Sequence, residues 1–185
     1  MACALIDLDS TTGCNANEGG LTHSYVCKLA DITAVTITSD IVSAITMAST
    51  GLWKKLQYDL DETSYFNETG SRNNDTGPVR LTQESFMKFG GLVKDYKEFS
   101  DDASECCKLV FIHVGVNGAR RFQGLELDTS ASGNFTGSKI RDTKITPNHL
   151  SGTGAEEARF EVFARGITRK AAPYTDLTDT EIEAL

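Results

Sequence analysis

Few side chains in this 185-residue chain have the types and spacings that do chemistry. The three histidines, His23, His113 and His149, are scattered. Cys107 and His113 stand at an even spacing, which puts both on one face of a strand, and such a pair is the start of an activated thiolate nucleophile. No third group to orient the imidazole and no oxyanion site accompany them, so His113 reads as a strand residue with an ordinary partner. Asp59, Asp61 and Glu62 form a small acidic cluster of the kind that holds a hard cation, or, more simply, a solvated strand end. The run Gly133-Asn134-Phe135-Thr136-Gly137-Ser138-Lys139 has glycines near a lysine, as a phosphate loop does. Its glycines are too close together and its serine precedes the lysine, so it reads as a strand edge or turn.

Other reaction signatures are missing. There is no GxSxG elbow, no HExxH helix and no Walker A loop. The five cysteines (Cys3, Cys14, Cys27, Cys106, Cys107) are odd in number and form no framework, which favours reduced thiols. Zinc would need about four converging ligands, and neither a CxxC nor an HxxxH pair occurs. The expectation is therefore no catalytic residue, no metal and no cofactor: not an enzyme.

The elements that would carry these residues are mostly strands. In Ala158–Arg165, Phe160, Val162 and Ala164 alternate with Arg159, Glu161 and Arg165, the pattern of a strand wet on one side. Val79, Leu81 and Met87 alternate in the same way with Arg80, Thr82, Glu84 and Lys88. Ile32–Thr38 and Ile41–Met47 are β-branched runs separated by Ser39-Asp40, and Leu52–Tyr58 is the next strand. Lys108–Val116 and Ala119–Leu127 flank Asn117-Gly118, which predicts a hairpin with a two-residue type I′ turn. Phe89, Leu92, Val93, Tyr96 and Phe99 share one helical face, so a helix is expected over about 89–100. A second, short helix is expected at Thr178–Leu185, where Thr178 caps with Glu181 three positions on. Ser10–Gly20, Asn67–Pro78 and Pro147–Ala155 have loop composition. The fold class is mainly β: an antiparallel β-sandwich or barrel with one packed α-helix. The expected organisation is an extended N-terminal arm over 1–20, the β-domain over 21–170, and an acidic tail or short helix over 171–185.

Charge narrows the partners. The net charge is −8 and its placement is uneven. Residues 1–50 hold five acids against Lys28 alone, and residues 171–185 hold Asp176, Asp179, Glu181 and Glu183 with no base, while the stretch between is neutral. A protein that grips phosphate needs clustered Lys and Arg, which this pattern lacks. No apolar run approaches the roughly 20 residues needed to span a bilayer, and Met1–Asp7 shows no secretory signal. A half-wet sheet with long polar loops and acidic arms suits assembly with further copies.

Several segments resemble virion proteins of tailed phages, especially those infecting Bacteroidetes. They are Gly19-Gly20 with Tyr25 to Ile32, Ile45-Thr46-Met47, and Leu52–Asp61 running into Thr63–Glu68. The helix before the Asn117-Gly118 hairpin, Gly124-Leu125, Thr136–Lys139 with Asp142, and Phe160–Phe163 complete the set, in order over residues 19–170. The proteins resembled are major tail tube subunits. The resemblance implies a β-sandwich with a flanking helix, assembled as stacked rings, commonly hexamers, around a channel that conducts DNA. It implies homo-oligomeric partners, other tail proteins, and genomic DNA passing without specific binding, in a virion tail made in the host cytoplasm.

Strands of each subunit would join one inner barrel. The N-terminal arm and the loop containing Asn67, Asn73, Asn74 and Asp75 would bridge successive rings. A negative bore, common in that family, would draw on the strand-borne acids Glu84, Glu126, Asp128 and Glu161, with Arg80, Arg120, Arg121 and Arg159 elsewhere or paired to acids. Two alternatives stay open. One is another virion ring such as a neck, tail terminator or baseplate hub. The other is a host- or carbohydrate-binding module with an aromatic platform from Trp53, Tyr58, Tyr65 and Phe66.

Overall fold

A computed structural model describes residues 20–39, 41–49, 51–58, 64–72, 79–90, 94–105, 108–116, 118–126, 134–135, 138–146, 150–151, 154–155, 159–169 and 171–185. Before the first helix come β1 (Leu21–Lys28), β2 (Ile32–Thr38), β3 (Ile41–Met47), β4 (Lys54–Gln57), β5 (Tyr65–Arg72) and β6 (Val79–Gly90). Helix α1 (Lys94–Glu105) follows, then β7 (Leu109–Gly115), β8 (Arg120–Gln123), β9 (Leu125–Glu126) and β10 (Asn134–Phe135). The chain continues with β11 (Ser138–Thr146), β12 (Leu150–Ser151), β13 (Gly154–Ala155), β14 (Arg159–Thr168), β15 (Tyr174–Thr175) and α2 (Asp179–Glu183). The protein is mainly β, and among the described residues its ladders are antiparallel apart from the parallel β15–β3 pair.

Eleven strands form one sheet folded into two layers. The first layer runs β2-β3-β15-β8-β7-β1-β4, and the second runs β11-β14-β6-β5. Among the described residues a single bridge, Ser138 to Leu109, joins them. Two clusters of buried side chains account for the packing. Val26, Leu56, Leu109 and Phe111 of the first layer meet Met87, Phe89, Phe160 and Val162 of the second, and Tyr96 and Phe99 of α1 close that end. On the other face of β1 and β7, Tyr25, Cys27, Val110, Ile112 and Val114 pack with Val35, Val42, Ile45, Phe122 and Ile182. Strand β7 is thus buried on both faces, which is why Leu109–Val114 is apolar at five of six positions instead of alternating.

Three expectations need correction. The helix starts at Lys94, not at Phe89, and extends to Glu105. Phe89 belongs to β6, on the same side as the buried Gln83, Ser85 and Met87, so the strand period continues through it. Asn67–Arg72 is the body of β5, not loop, because it pairs residue by residue with Val79–Glu84. The hairpin between β7 and β8 has three loop residues, not two. Val114 pairs with Arg120, Gly115 N–H donates to Ala119 O at 2.9 Å, and Gly118 N–H donates back to Gly115 O at 2.9 Å. Gly118 carries the positive φ of +79° that closes such a three-residue loop.

The short C-terminal helix forms as its capping residues dictate. Thr178 accepts from the Glu181 N–H while the Glu181 carboxylate accepts from the Thr178 N–H. Strand β15 is inserted between β3 and β8, so the β2–β3 hairpin reaches the rest of its layer through two residues, Tyr174 and Thr175.

Candidate functional site

The space between the layers is apolar at the α1 end and polar at the other. Alternation on β7 and β8 directs His113, Arg121 and Gln123 inward there, and alternation on β5 and β6 brings Phe66, Glu68, Gln83 and Ser85 to meet them. Tyr58 O–H donates to Ser24 Oγ, and Ser24 lies 2.6 Å from His113 Nδ1. His113 Nε2 is 2.7 Å from Gln123 Oε1. The Gln123 amide donates to the Gln83 and Ala164 carbonyls, which fixes its oxygen toward the imidazole. His113 therefore carries its proton on Nε2 and accepts from Ser24 on Nδ1. Burial lowers its pKa to about 4, with the Gln123 bond opposing the shift.

A buried serine and histidine in contact have the parts of a nucleophile and base. Here the histidine is oriented by an amide rather than a carboxylate, its ring is stacked between Phe66 and Phe111, and both partners are sealed from solvent. The arrangement is a satisfied polar core, in line with the ordinary-partner reading of His113. Cys107, Asp59, Asp61, Glu62 and His149 lie outside the described residues. Cys27 is a buried free thiol whose pKa is pushed well up by burial, so it is inert as a nucleophile. Among the described residues no cluster of His, Cys, Asp and Glu is placed to hold a metal ion.

Beside this polar end lies a cavity of about 250 Å³, lined in part by Leu21, Phe66, Ala119, Arg121 and Tyr174. Arg121 sits 5.4 Å from the Phe66 ring centroid and 5.1 Å from that of Tyr174. Its guanidinium donates to Glu68 at 3.0 Å. The same carboxylate accepts from Gln83 at 3.1 Å and from the Ala172 N–H at 2.8 Å. Sequence reading missed Glu68 because it falls in a stretch of loop composition. The aromatics that the alternative binding-module reading would use as a platform are dispersed: Trp53 and Tyr58 are buried, Phe66 points inward at this cavity, and Tyr65 points outward.

The acidic C-terminal segment is latched to the first layer. Arg120 donates to Asp179 through Nε and Nη2 at 3.1 and 2.8 Å, and His23 Nε2 lies 3.0 Å from the other carboxylate oxygen without the alignment of a hydrogen bond. Tyr25 O–H and Lys55 both donate to Glu183 at 2.9 Å. Desolvation lowers the His23 pKa against the pull of Asp179. Desolvation acts to raise the Asp179 pKa, but the Arg120 bonds and His23 outweigh it and hold the carboxyl below its ordinary range. Arg120 and Arg121 are thus both paired to acids.

Of the strand-borne acids, Glu84 and Glu161 share the outward face of the four-stranded layer. Each stands beside a cation: Glu84 pairs with Arg165 at 3.3 Å, and Glu161 lies opposite Lys88 and 3.7 Å from Lys144. Between these rows run Phe163, Phe86 and Tyr65 in register. Glu126 is on β9, in a separate two-stranded ladder, and Asp128 lies outside the described residues. Asn67 is exposed on β5, whereas Asn73, Asn74 and Asp75 lie outside the described residues.

The sheet does not close on itself. Its path ends at β2, seven residues long, and at β5, eight residues long, and among the described residues neither has a second neighbour. Compared with models of known protein families, with curated proteins and with solved structures, the chain matches none.

Proposed function

We propose that this chain is a non-enzymatic virion component: a tail tube subunit that forms homo-oligomeric rings, commonly hexamers, stacked around a channel through which DNA passes without specific binding. The observation that carries the reading is that the longest path through the sheet ends in two open margins, β2 and β5, with β4 a further margin beside β1. A row of unpaired N–H and C=O groups is a template for another chain, and a head-to-tail contact between unlike margins yields rings when the rotation closes. The mechanism is mechanical: a wall of hydrogen-bonded strands with no reaction to perform.

Glu84 and Glu161 are the acids we assign to the wall of such a bore, a reading supported by their sharing an outward strand face. Their neighbours Arg165, Lys88 and Lys144 offset them, so such a bore would be close to neutral and would slide past phosphate by lacking net attraction rather than by strong repulsion. Asn73, Asn74 and Asp75 and the N-terminal arm before Gly20, which lie outside the described residues, remain the proposed bridge between rings, whereas Asn67 belongs to the β5 ladder. A virion-tail location, assembly in the host cytoplasm and contact with other tail proteins belong to the same proposal.

Negative-stain microscopy of the concentrated protein tests it. Hollow rings and open-ended stacks are the expected outcome. Single rings that never stack would favour a terminator or neck component. A lone compact particle by light scattering at every concentration would refute ring formation.

A further inference from the structure

We propose that the β5 margin and the cavity beside it form a strand-docking site, and that its occupant is β2 of a second copy of this chain. The inference rests on the ring-forming reading and names the contact that would make the ring. A strand added to β5 sends every other side chain to the side on which Phe66 and Glu68 lie. The cavity of about 250 Å³ opens on that side, where Gly115 and Ala119 leave room between Leu21, Phe66, Arg121 and Tyr174. Main-chain bonds along an edge supply affinity in this mode of recognition, and a pocket for an alternate side chain supplies register and choice of partner.

Charge selects the occupant. Among the described residues of the cavity wall the one cation, Arg121, is already paired with Glu68 through Nη2, so that wall carries no net charge, and an incoming charged group would lose its hydration for at most one free donor, the buried Arg121 Nε. Among the described strands of the sheet, β4 pairs only with β1 but carries Lys54 and Lys55, and two others present a margin with few or no neighbours. One is β11, which touches β7 at a single bridge but carries Lys139, Arg141, Asp142 and Lys144. The other is β2, Ile32-Thr33-Ala34-Val35-Thr36-Ile37-Thr38, which has no charged residue. Joining β2 of one copy to β5 of the next connects the two ends of the sheet path and leaves one of each free for the following copy, a heterologous contact.

The test places a photo-crosslinking amino acid at Thr36, exposed on β2, in the full chain. After irradiation, mass spectrometry maps the joined peptides, and microscopy of the same sample records the assembly. Crosslinks between copies that map to residues 64–72 or to the cavity wall are the expected result. Crosslinks that map elsewhere, or none, in a sample that forms rings would overturn this docking site and leave the ring reading standing. Crosslinks to β5 in a closed particle that never stacks would uphold the site and refute the tube. A chain that stays monomeric throughout would refute both. A second variant, Ala119→Phe, adds bulk at the cavity wall and is expected to weaken association at least tenfold with an unchanged circular dichroism spectrum. A folded Ala119→Phe that associates like the wild type would remove the cavity from the interface, and if that variant misfolds the crosslink map alone decides.

Discussion

Acid should unfold this protein through His113 before its carboxylates are protonated. The imidazole is fully buried and neutral, hydrogen-bonded on both nitrogens, with its pKa lowered from 6.5 to about 4. Above pH 6.5 the folded and unfolded chains bind the same number of protons at this group, and it contributes no slope. Below 6.5 the unfolded chain takes up a proton that the folded chain refuses, so stability falls with pH until the folded state also protonates near 4. The shift corresponds to a loss of about 3 kcal/mol across that window, of which about 2 kcal/mol is gone by pH 5.

Urea unfolding at pH 8, 6, 5 and 4.5 measures the loss, and His113→Gln supplies the control. Glutamine can accept from Ser24 and donate to Gln123 but cannot titrate. The variant should be less stable at pH 8 yet show a flatter pH profile, by about 2 kcal/mol between pH 8 and pH 5. His23, whose pKa is also lowered, adds a slope of the same sign in both proteins, so the comparison isolates His113. Parallel profiles for the two proteins, or a histidine resonance titrating near 6.5 when assigned to His113, would refute the burial argument.

Three further perturbations follow from particular contacts. Ile182→Ala removes a fully buried side chain by which α2 joins the second apolar cluster, and should lower stability by about 2–5 kcal/mol in a thermal melt. Gly118→Val meets no atom within 4 Å of its new Cβ, so its cost of about 1–2 kcal/mol is backbone strain alone, and urea titration should show Gly118→Asn costing less. Gly51→Ala is the opposite case: a Cβ there would stand 2.7 Å from Asp31 Cβ and 3.2 Å from Asp31 O, so overpacking of about 1–3 kcal/mol is expected in the same titration.

Local sequence signals located most of the strands because most are buried on one face only, and β6 and β14 show their alternation directly. The capping box at Thr178 was legible for the same reason: its two partners lie three residues apart. Phe89 was misplaced because its spacing from Tyr96 and Phe99 fits a helix while its spacing from Met87 fits a strand, and all four side chains share one apolar cluster. The polar end of the interlayer space was not legible. Ser24, Tyr58, Glu68, Gln83, His113 and Gln123 come from six separate strands or strand ends, and no sequence spacing links them until pairing brings them together. The latch on the acidic C-terminal segment was hidden likewise, since Asp179 and Glu183 find Arg120, His23, Lys55 and Tyr25 only across the fold.

That latch sets the order in which the molecule can be made. Tyr25 waits for a carboxylate 158 positions further along, and the small helix bearing it fills a gap in the apolar cluster that β1, β2, β3 and β7 leave between them. Closing so wide a loop is slow, and until it happens a greasy sheet surface and a hairpin held by two residues stand open to whatever is nearby. Crowded nascent chains that met in that interval would find each other's exposed apolar surface and open strand edges, so the half-finished sheet is the aggregation-prone form of this chain.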